Sequence, residues 1–282
     1  MSLLEAVVLG IVQGLTEFLP ISSTAHLCVV PQLLGWKDPG AAFTAVIQIG
    51  TLVAVLFYFR SDIARLLAAF LLDVKSLRYG TSQDARLAWM IAAATIPIVV
   101  CGLAFKEQIK GPLRQIQWIA TASIAFALIL GCAEFVAARR ARSQDAVREQ
   151  ASIRWRDALF IGCFQAFALI PGASRSGVTI TAGLFAGLSR SAAARFSFLL
   201  SLPSVFAAGV YEFWKDRHEI AASREDALAL LVAALVAGIV GYASIAFLLG
   251  FLKRYTTWLF IGYRLILGVA LLCLLAAGRI NG

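Results

Sequence analysis

The chain has 282 residues, of which 60% are hydrophobic and 15% charged, and its mean hydropathy is +0.83. This composition excludes a soluble globular domain and predicts an all-α polytopic membrane protein. The formal net charge is +9, but the basic residues cluster in short segments between apolar stretches. That pattern indicates membrane topology and not nucleic-acid binding.

The apolar stretches divide into full spans and interrupted segments. A helix of about 17 to 25 residues crosses a bilayer, so we predict about six full transmembrane helices, at 44–59, 88–105, 115–137, 196–214, 227–249 and 256–277. Two further apolar segments, 3–30 and 158–188, contain helix-breaking residues. We expect each of them to form a re-entrant helix hairpin.

The first interrupted segment carries polar side chains on both sides of Pro20. Gln13 and Glu17 are four residues apart, so they share one face of the helix that the proline ends. The polar side chains that follow the proline are Ser22, Ser23, Thr24 and His26. We expect one of the two serines to cap a second helix whose N–H groups face the same cavity as Glu17.

The second interrupted segment contains the run from Pro171 to Thr179, with the sequence PGASRSGVT. Proline and two glycines predict a helix that ends near Ile170 and restarts near Ser176. The polar side chains of this break are Ser174, Arg175, Ser176 and Thr179. A charge inside an apolar segment, such as that of Arg175 or Glu17, is costly and usually marks function. Hydroxyl groups, free N–H groups and a guanidinium suit an anion with several oxygens, and phosphate is the obvious candidate.

The two interrupted segments also resemble each other in sequence. Gly10–Gln13 resembles Gly162–Gln165, and after a slip of one residue Pro20–Thr24 lies over Pro171–Arg175. The basic segments 60–86 and 139–156 are predicted to be cytoplasmic loops, which places the tip at 106–114 and the charge-balanced loop at 212–226 outside. The first hairpin then enters from outside and the second from inside, as expected of an inverted repeat.

We therefore predict a single integral-membrane domain over 1–282, with repeat one at about 1–137 and repeat two at about 156–278. A basic cytoplasmic loop at about 138–156 joins the repeats. The five cysteines stand singly in apolar segments, so neither a disulfide framework nor a zinc site is expected.

A carboxylate such as Glu17 in this setting has two uses. It can hold a divalent cation such as Mg²⁺, with Gln13 as a second oxygen ligand, or it can act as an acid or base or orient His26. The set of polar residues fits phosphoryl transfer, with Ser23, His26 or a metal-activated water as the nucleophile. The alternative is a lipid-phosphate flippase or an anion transporter, since such carriers also use opposed broken helices.

Two runs, Gln13–His26 (QGLTEFLPISSTAH) and Pro171–Thr179, resemble the signatures of the bacitracin-resistance type of undecaprenyl pyrophosphate phosphatase. The resemblance covers nearly the whole chain. It implies an enzyme of the bacterial inner membrane that hydrolyses undecaprenyl pyrophosphate to undecaprenyl phosphate and inorganic phosphate. The product is the carrier lipid for cell-wall polymers.

The resemblance also implies a divalent cation, Mg²⁺ or another such as Ca²⁺, and a site that opens to the periplasmic or outer side. The partners it implies are the isoprenoid diphosphate lipid and the bilayer, with no nucleic acid; a homodimer stays open. The implied functional positions are Gln13, Glu17, Ser23, His26, Ser174, Arg175, Ser176 and Thr179. Members of this family often have glutamate where this chain has Gln13, so Glu17 is expected to carry more of the metal site.

Overall fold

The structure is a computed structural model that describes residues 1–37, 40–143, 147–220 and 224–280. These residues form helices and contain no named β-strand, which confirms the all-α prediction. The helices are α1 (Leu3–Phe18), α2 (Ser23–Leu33), α3 (Gly40–Tyr58), α4 (Arg60–Ser76), α5 (Gln83–Ala104), α6 (Lys106–Lys110), α7 (Ile116–Arg142), α8 (Trp155–Gln165), α9 (Arg175–Phe185), α10 (Arg190–Ile220), α11 (Arg224–Leu252) and α12 (Trp258–Ala276).

Five of these helices are long and apolar enough to cross a membrane within the described residues: α5, α7, α10, α11 and α12. The chain is therefore a multi-pass membrane protein, and its described residues contain one such span fewer than the six predicted. The sixth prediction falls on α3, whose described continuous apolar part, Val46–Tyr58, is shorter than a full span. Within the described residues, the five cysteines form no disulfide bond.

Both predicted interruptions are present. Helix α1 ends at Phe18, just before Pro20, and α2 begins at Ser23. Helix α8 ends at Gln165, a short 3₁₀ turn covers Ala166–Leu169, and α9 begins at Arg175. Gly172 has a φ of +93°, and a Cβ there would lie 2.2 Å from the carbonyl oxygen of Ile119. Only glycine fits this backbone conformation at such a close approach to α7.

The two ends of the second hairpin lie close together, whereas those of the first lie against other helices. The backbone N–H of Arg148 donates to the carbonyl of Gly187, just after α9, at 3.1 Å. The guanidinium of Arg148 pairs with Asp157, in the first turn of α8, at 2.5 Å. In the first hairpin, Val29 of α2 packs against Ile116 at the start of α7. The amino group of Met1, just before α1, pairs with Asp226 at the start of α11 at 3.3 Å.

Close helix packing around the first hairpin depends on small residues. A Cβ on Gly50 of α3 would lie 2.0 Å from the carbonyl oxygen of Ala234 in α11, so the two backbones meet directly. Helix α1 packs against the same helix through Ala6 and Leu9, which share a buried cluster with Ala233. Small residues at such contacts are typical of membrane helices, since they increase dispersion contact between neighbours.

A fully buried carboxylate ties three of the spans together. Glu134 of α7 accepts from the Nε of Arg190, at the start of α10, at 2.8 Å. It also accepts from the hydroxyl of Thr257, just before α12, at 2.7 Å. A buried charge is tolerated when a partner charge and further hydrogen bonds satisfy it.

The predicted loop at 60–86 is wrong over most of its length, because 60–76 forms helix α4. Asp73 near its end accepts hydrogen bonds from the hydroxyl of Thr81, from Gly80 N–H at 2.6 Å and from Trp89 Nε1 at 3.2 Å. The Thr81 hydroxyl is the main cause that holds the pKa of Asp73 below its usual value, with burial opposing it. The residues that follow helix α4 are therefore held to its last turn by hydrogen bonds to Asp73.

Two other predicted loops also contain helix. The basic segment 139–156 begins inside α7, which continues to Arg142, and ends inside α8, which starts at Trp155. The segment 212–226 is helical up to Ile220 and again from Arg224, while residues 221–223 lie outside the described part of the chain. The charged residues of these segments therefore do not mark the ends of the helices.

Candidate active site

The two interruptions meet each other inside the protein. The hydroxyl of Ser176, in the first turn of α9, donates to the carbonyl of Leu19, just after α1, at 3.1 Å. Next to this contact, Arg175 forms an ion pair with Glu17. These residues are about 160 positions apart in sequence, so the fold itself brings the two polar breaks into one site.

Glu17 is the centre of the first half of the site. One carboxylate oxygen pairs with Arg175, and the other accepts from Gln13 Nε2 at 3.0 Å and from Ser23 Oγ at 2.7 Å. The side chain of Glu17 is only 5% exposed, whereas that of Arg175 is 20% exposed. Arg175 therefore lies on the more open side, where its other N–H groups can meet a ligand.

Helix α2 begins directly after an unusual residue. Ser22 has φ 73° and ψ 97° and occupies the N-cap position, but its side chain makes no capping hydrogen bond. The prediction that a serine hydroxyl caps this helix is therefore wrong for Ser22. Its carbonyl instead accepts from Nδ1 of His26 at 2.7 Å. Because a carbonyl only accepts, Nδ1 carries the proton.

His26 and Ser23 form no hydrogen bond with each other among the described contacts. The Nε2 of His26 lies 2.6 Å from the hydroxyl of Tyr263 on α12, and the two rings stack with an interplanar angle of 9°. Both ring nitrogens are therefore engaged away from Ser23, whose hydroxyl is held by Glu17. Thr24 is half-buried beside this cluster and, among the described residues, makes no hydrogen bond to the other predicted site residues.

At the second break, the N-terminus of α9 has a side-chain cap. Ser174 has φ 67° and ψ 111°, and its hydroxyl accepts from Gly177 N–H at 3.2 Å. The same hydroxyl lies 3.3 Å from that of Ser176. The other N–H groups of this first turn have no partners within the helix, so they are available to an anion.

Thr179 lies one turn further along α9 and serves packing within the protein. Its hydroxyl donates to the carbonyl of Arg175 at 2.8 Å and lies 2.5 Å from the hydroxyl of Ser197 on α10. Thr179 is fully buried. The structure therefore places it behind the break, where it holds α9 against α10.

Oxygen ligands for a cation are present but few. The side-chain amide of Gln13 donates through Nε2 to the carboxylate of Glu17. Its Oε1 is buried and has no hydrogen-bond partner among the described residues. Among the described residues there is no group of three or more His, Cys, Asp or Glu side chains that could hold a metal ion. A cation here would thus have one carboxylate and one amide oxygen from the protein.

The chain also matches a known protein family. The family model described as bacitracin resistance protein BacA matches residues 6–270. The chain belongs to this family. It is 56% identical to a protein of Prosthecochloris aestuarii over 281 residues, which is all of both chains. That relative is named undecaprenyl-diphosphatase, as are relatives in Chlorobium phaeobacteroides, 57% identical over the full length of both, and Chloroherpeton thalassium, 53% identical over 100% of this chain and 99% of that one.

Two residues that contact the breaks were missed by the sequence analysis, and both lie on α12. Tyr263 reaches His26 in the first break, and its neighbour Arg264 reaches the second break. Arg264 could have been found by the argument used for Arg175, because a charge inside an apolar span usually marks function. Tyr263 gives no comparable signal, since aromatic residues in spans mostly serve packing.

Proposed function

We propose that this chain is an undecaprenyl-diphosphatase that removes the terminal phosphate of undecaprenyl diphosphate, releasing inorganic phosphate and the carrier lipid undecaprenyl phosphate. The observation that carries the proposal is the ion pair between Glu17 and Arg175, which joins two hydroxyl-rich breaks at one point. The family match and the names of the relatives support the same activity. Recycling of the carrier lipid serves cell-wall synthesis and confers bacitracin resistance.

The diphosphate is held by the second break. Arg175 offers its more exposed N–H groups, and the first turn of α9 offers backbone N–H groups behind the Ser174 cap. A helix N-terminus and an arginine both favour an anion with several oxygens. Thr179 and Ser176 act indirectly, by fixing α9 against α10 and against the first break.

Ser23 is the nucleophile that the geometry favours. Its hydroxyl already donates to Glu17 at 2.7 Å, which is the arrangement of a nucleophile with its base. Ser23 Oγ attacks the terminal phosphorus while its proton passes to Glu17, and the bond from that phosphorus to the bridging oxygen breaks. Undecaprenyl phosphate leaves, water then attacks the phosphorus of the phosphoserine, and the bond to Ser23 Oγ breaks as the proton on Glu17 returns to that oxygen. Inorganic phosphate is released, and the Ser23 hydroxyl and the Glu17 carboxylate are restored.

A Mg²⁺ ion, or another divalent cation such as Ca²⁺, fits the donors that are present. Glu17 and the unpartnered Oε1 of Gln13 would hold it, and the phosphate oxygens of the substrate would supply the remaining ligands. When bound, the cation supplies charge neutralisation for the transferring phosphoryl group. The presence of a single carboxylate agrees with the small number of protein ligands that Mg²⁺ usually takes.

We also propose that the two hairpins are re-entrant and enter from opposite faces, as in an inverted repeat. Helix α7 supports this proposal because it touches one hairpin at each of its ends. Val29 of the first hairpin packs at Ile116, and the carbonyl of Phe185 at the end of α9 accepts from Arg140 at 2.9 Å. A helix of 27 residues is about 40 Å long, comparable to a whole bilayer.

The basic residues around Arg140 and Arg148 favour a cytoplasmic position for the second hairpin's ends. The first hairpin would then open to the periplasmic side of the inner membrane. Single cysteines at positions 110 and 142, in a chain whose five native cysteines are replaced, test this orientation. We expect an impermeant thiol reagent added from outside to label position 110, and labelling at position 142 alone would reverse the orientation.

The activity is tested by phosphate release from undecaprenyl diphosphate with purified protein in detergent. We expect release with Mg²⁺, loss of release with EDTA, and loss in Arg175→Ala. If a folded protein binds the lipid but releases no phosphate, the carrier alternative takes first place. A flipping assay in liposomes then decides whether the protein moves the lipid phosphate, since a carrier needs opposed breaks but no nucleophile.

A further inference from the structure

Arg264 is the largest fully buried side chain among the described residues, and it lies in the middle of span α12. Its Nη2 donates to the carbonyl of Gly172 at 3.0 Å and to that of Ala173 at 2.9 Å. Its Nε and Nη1 are buried and have no hydrogen-bond partner. Arg264 thus holds the backbone of the second break with one nitrogen and leaves two donors unused.

No carboxylate among the described residues forms an ion pair with Arg264. The two buried glutamates of the spans and hairpins are committed elsewhere, Glu17 to Arg175 and Glu134 to Arg190. A buried cation without a counter-ion is costly, and proteins rarely retain one unless an anion binds nearby. Among the described residues, no carboxylate neutralises the positive charge of Arg264.

The unused donors lie beside the first turn of α9. A Cβ added to Gly177 would come within 2.9 Å of Arg264 Nη1 and 3.2 Å of Ser174 Oγ. The arginine therefore occupies the space that a side chain at position 177 would fill, directly behind the capped N-terminus. Its charge adds to the positive end of the α9 dipole on the side where an anion would bind.

We propose that Arg264 is a positioning residue of the diphosphate site, which shapes the break through two carbonyls and supplies the uncompensated positive charge that the anionic oxygens of the substrate balance. This inference rests on the proposed phosphatase function. Arg175 and Glu17 cancel each other's charge, so Arg264 is the positive charge that the protein itself adds to that of a bound divalent cation. Arg264 provides it from behind the backbone, without entering the reaction.

The test compares Arg264→Lys, which keeps the charge, with Arg264→Gln, which keeps an amide donor but removes the charge. Arg60→Gln on the exposed surface of α4 is the matched control. We measure KM and kcat for undecaprenyl diphosphate, and the rise in melting temperature caused by inorganic pyrophosphate, which requires no turnover. We expect Arg264→Gln to raise KM by about tenfold or more, as for the loss of a charge-assisted contact, and to abolish the pyrophosphate stabilisation.

We expect Arg264→Lys to recover most of both properties, and Arg60→Gln to match the wild type. If Arg264→Lys behaves like Arg264→Gln, the charge is not what matters and the inference is overturned. An unchanged KM and unchanged stabilisation in a folded Arg264→Gln also overturn it. If the wild-type protein releases no phosphate, the phosphatase function is rejected. The stabilisation by pyrophosphate would then still show whether the charge of Arg264 contributes to anion binding.

If Arg264→Gln does not fold, Gly177→Ala gives a second route. Its Cβ would displace Nη1 while the arginine and its charge remain in the protein. We expect a raised KM and a weaker pyrophosphate stabilisation, with kcat less affected. A folded Gly177→Ala with wild-type values for both would count against the proposed placement of the charge.

Discussion

Ser22 and Ser174 share an unusual backbone conformation, with φ and ψ of 73° and 97° in one and 67° and 111° in the other. Each residue directly precedes a helix of 11 residues, α2 or α9. Positive φ is uncommon for any residue with a Cβ and costs free energy of folding. The same strained turn therefore aims the second helix of each hairpin at the shared site.

Substitutions at Ser22 test this strain. Ser22→Gly removes the steric conflict and loses no capping bond, so we expect the free energy of unfolding to stay within about 1 kcal/mol of the wild type. Ser22→Val puts a β-branched side chain at positive φ and should lower the free energy of unfolding by about 1–3 kcal/mol. Thermal unfolding in detergent measures both variants. If Ser22→Gly and Ser22→Val are equally stable, the turn does not keep its positive φ in solution.

The shared turn also corrects the alignment of the two halves. The sequence alignment needed a slip of one residue between the Gln13 motif and the Pro20 motif, because it matched the prolines. The structure relates Gln13 to Gln165, Ser22 to Ser174 and Ser23 to Arg175 by one constant offset. The prolines only end the first helices, and they need not occupy equivalent positions to do so.

Sequence reasoning found the breaks and the spans because proline, glycine and long apolar runs act locally. It found Glu17 and Arg175 because a charge in an apolar segment is costly wherever it lies. It did not find that the Ser23 hydroxyl donates to Glu17 and not to His26. It also did not find that the ring of His26 contacts the hydroxyl of Tyr263. These choices depend on side-chain distances between α1, α2 and α12, which only the packed fold determines.

The ion pair of Glu17 and Arg175 predicts non-additive kinetics. Glu17→Ala and Arg175→Ala should each lower kcat/KM by about 10² or more, as for the loss of one group that stabilises transition-state charge. Because the residues act as one unit, the double variant should lose little more than either single variant. Cys101→Ala is the matched control and should retain wild-type rates. Fully additive losses would show that the two residues act separately.

Ser23 predicts a chemical signature. Acid quenching during turnover of labelled undecaprenyl diphosphate should trap a phosphoserine that is stable to acid, and Ser23→Ala should abolish both the trapped species and turnover. His26→Ala should still trap label if the histidine only orients α2. An acid-labile phosphoenzyme would identify His26 as the nucleophile instead, and a folded, active Ser23→Ala would favour attack by water.

The hydrogen bond between Tyr263 and His26 predicts a catalytic effect without a loss of packing. Tyr263→Phe keeps the ring that stacks on the imidazole and removes only the hydroxyl that lies 2.6 Å from Nε2. The imidazole then gains rotational freedom, since Ser22 alone holds it, and we expect kcat to fall by about threefold to tenfold, the worth of one neutral hydrogen bond.

The measurement is kcat at saturating substrate, with melting temperature recorded in parallel. Tyr255→Phe is the matched control, because Tyr255 is exposed, lies just before α12, and stacks only on Phe251 among the described aromatic residues. Its kcat should equal that of the wild type. If Tyr263→Phe also equals the wild type, the hydroxyl does not position His26 for the reaction. A larger loss than that of His26→Ala would place the tyrosine hydroxyl itself among the reacting groups.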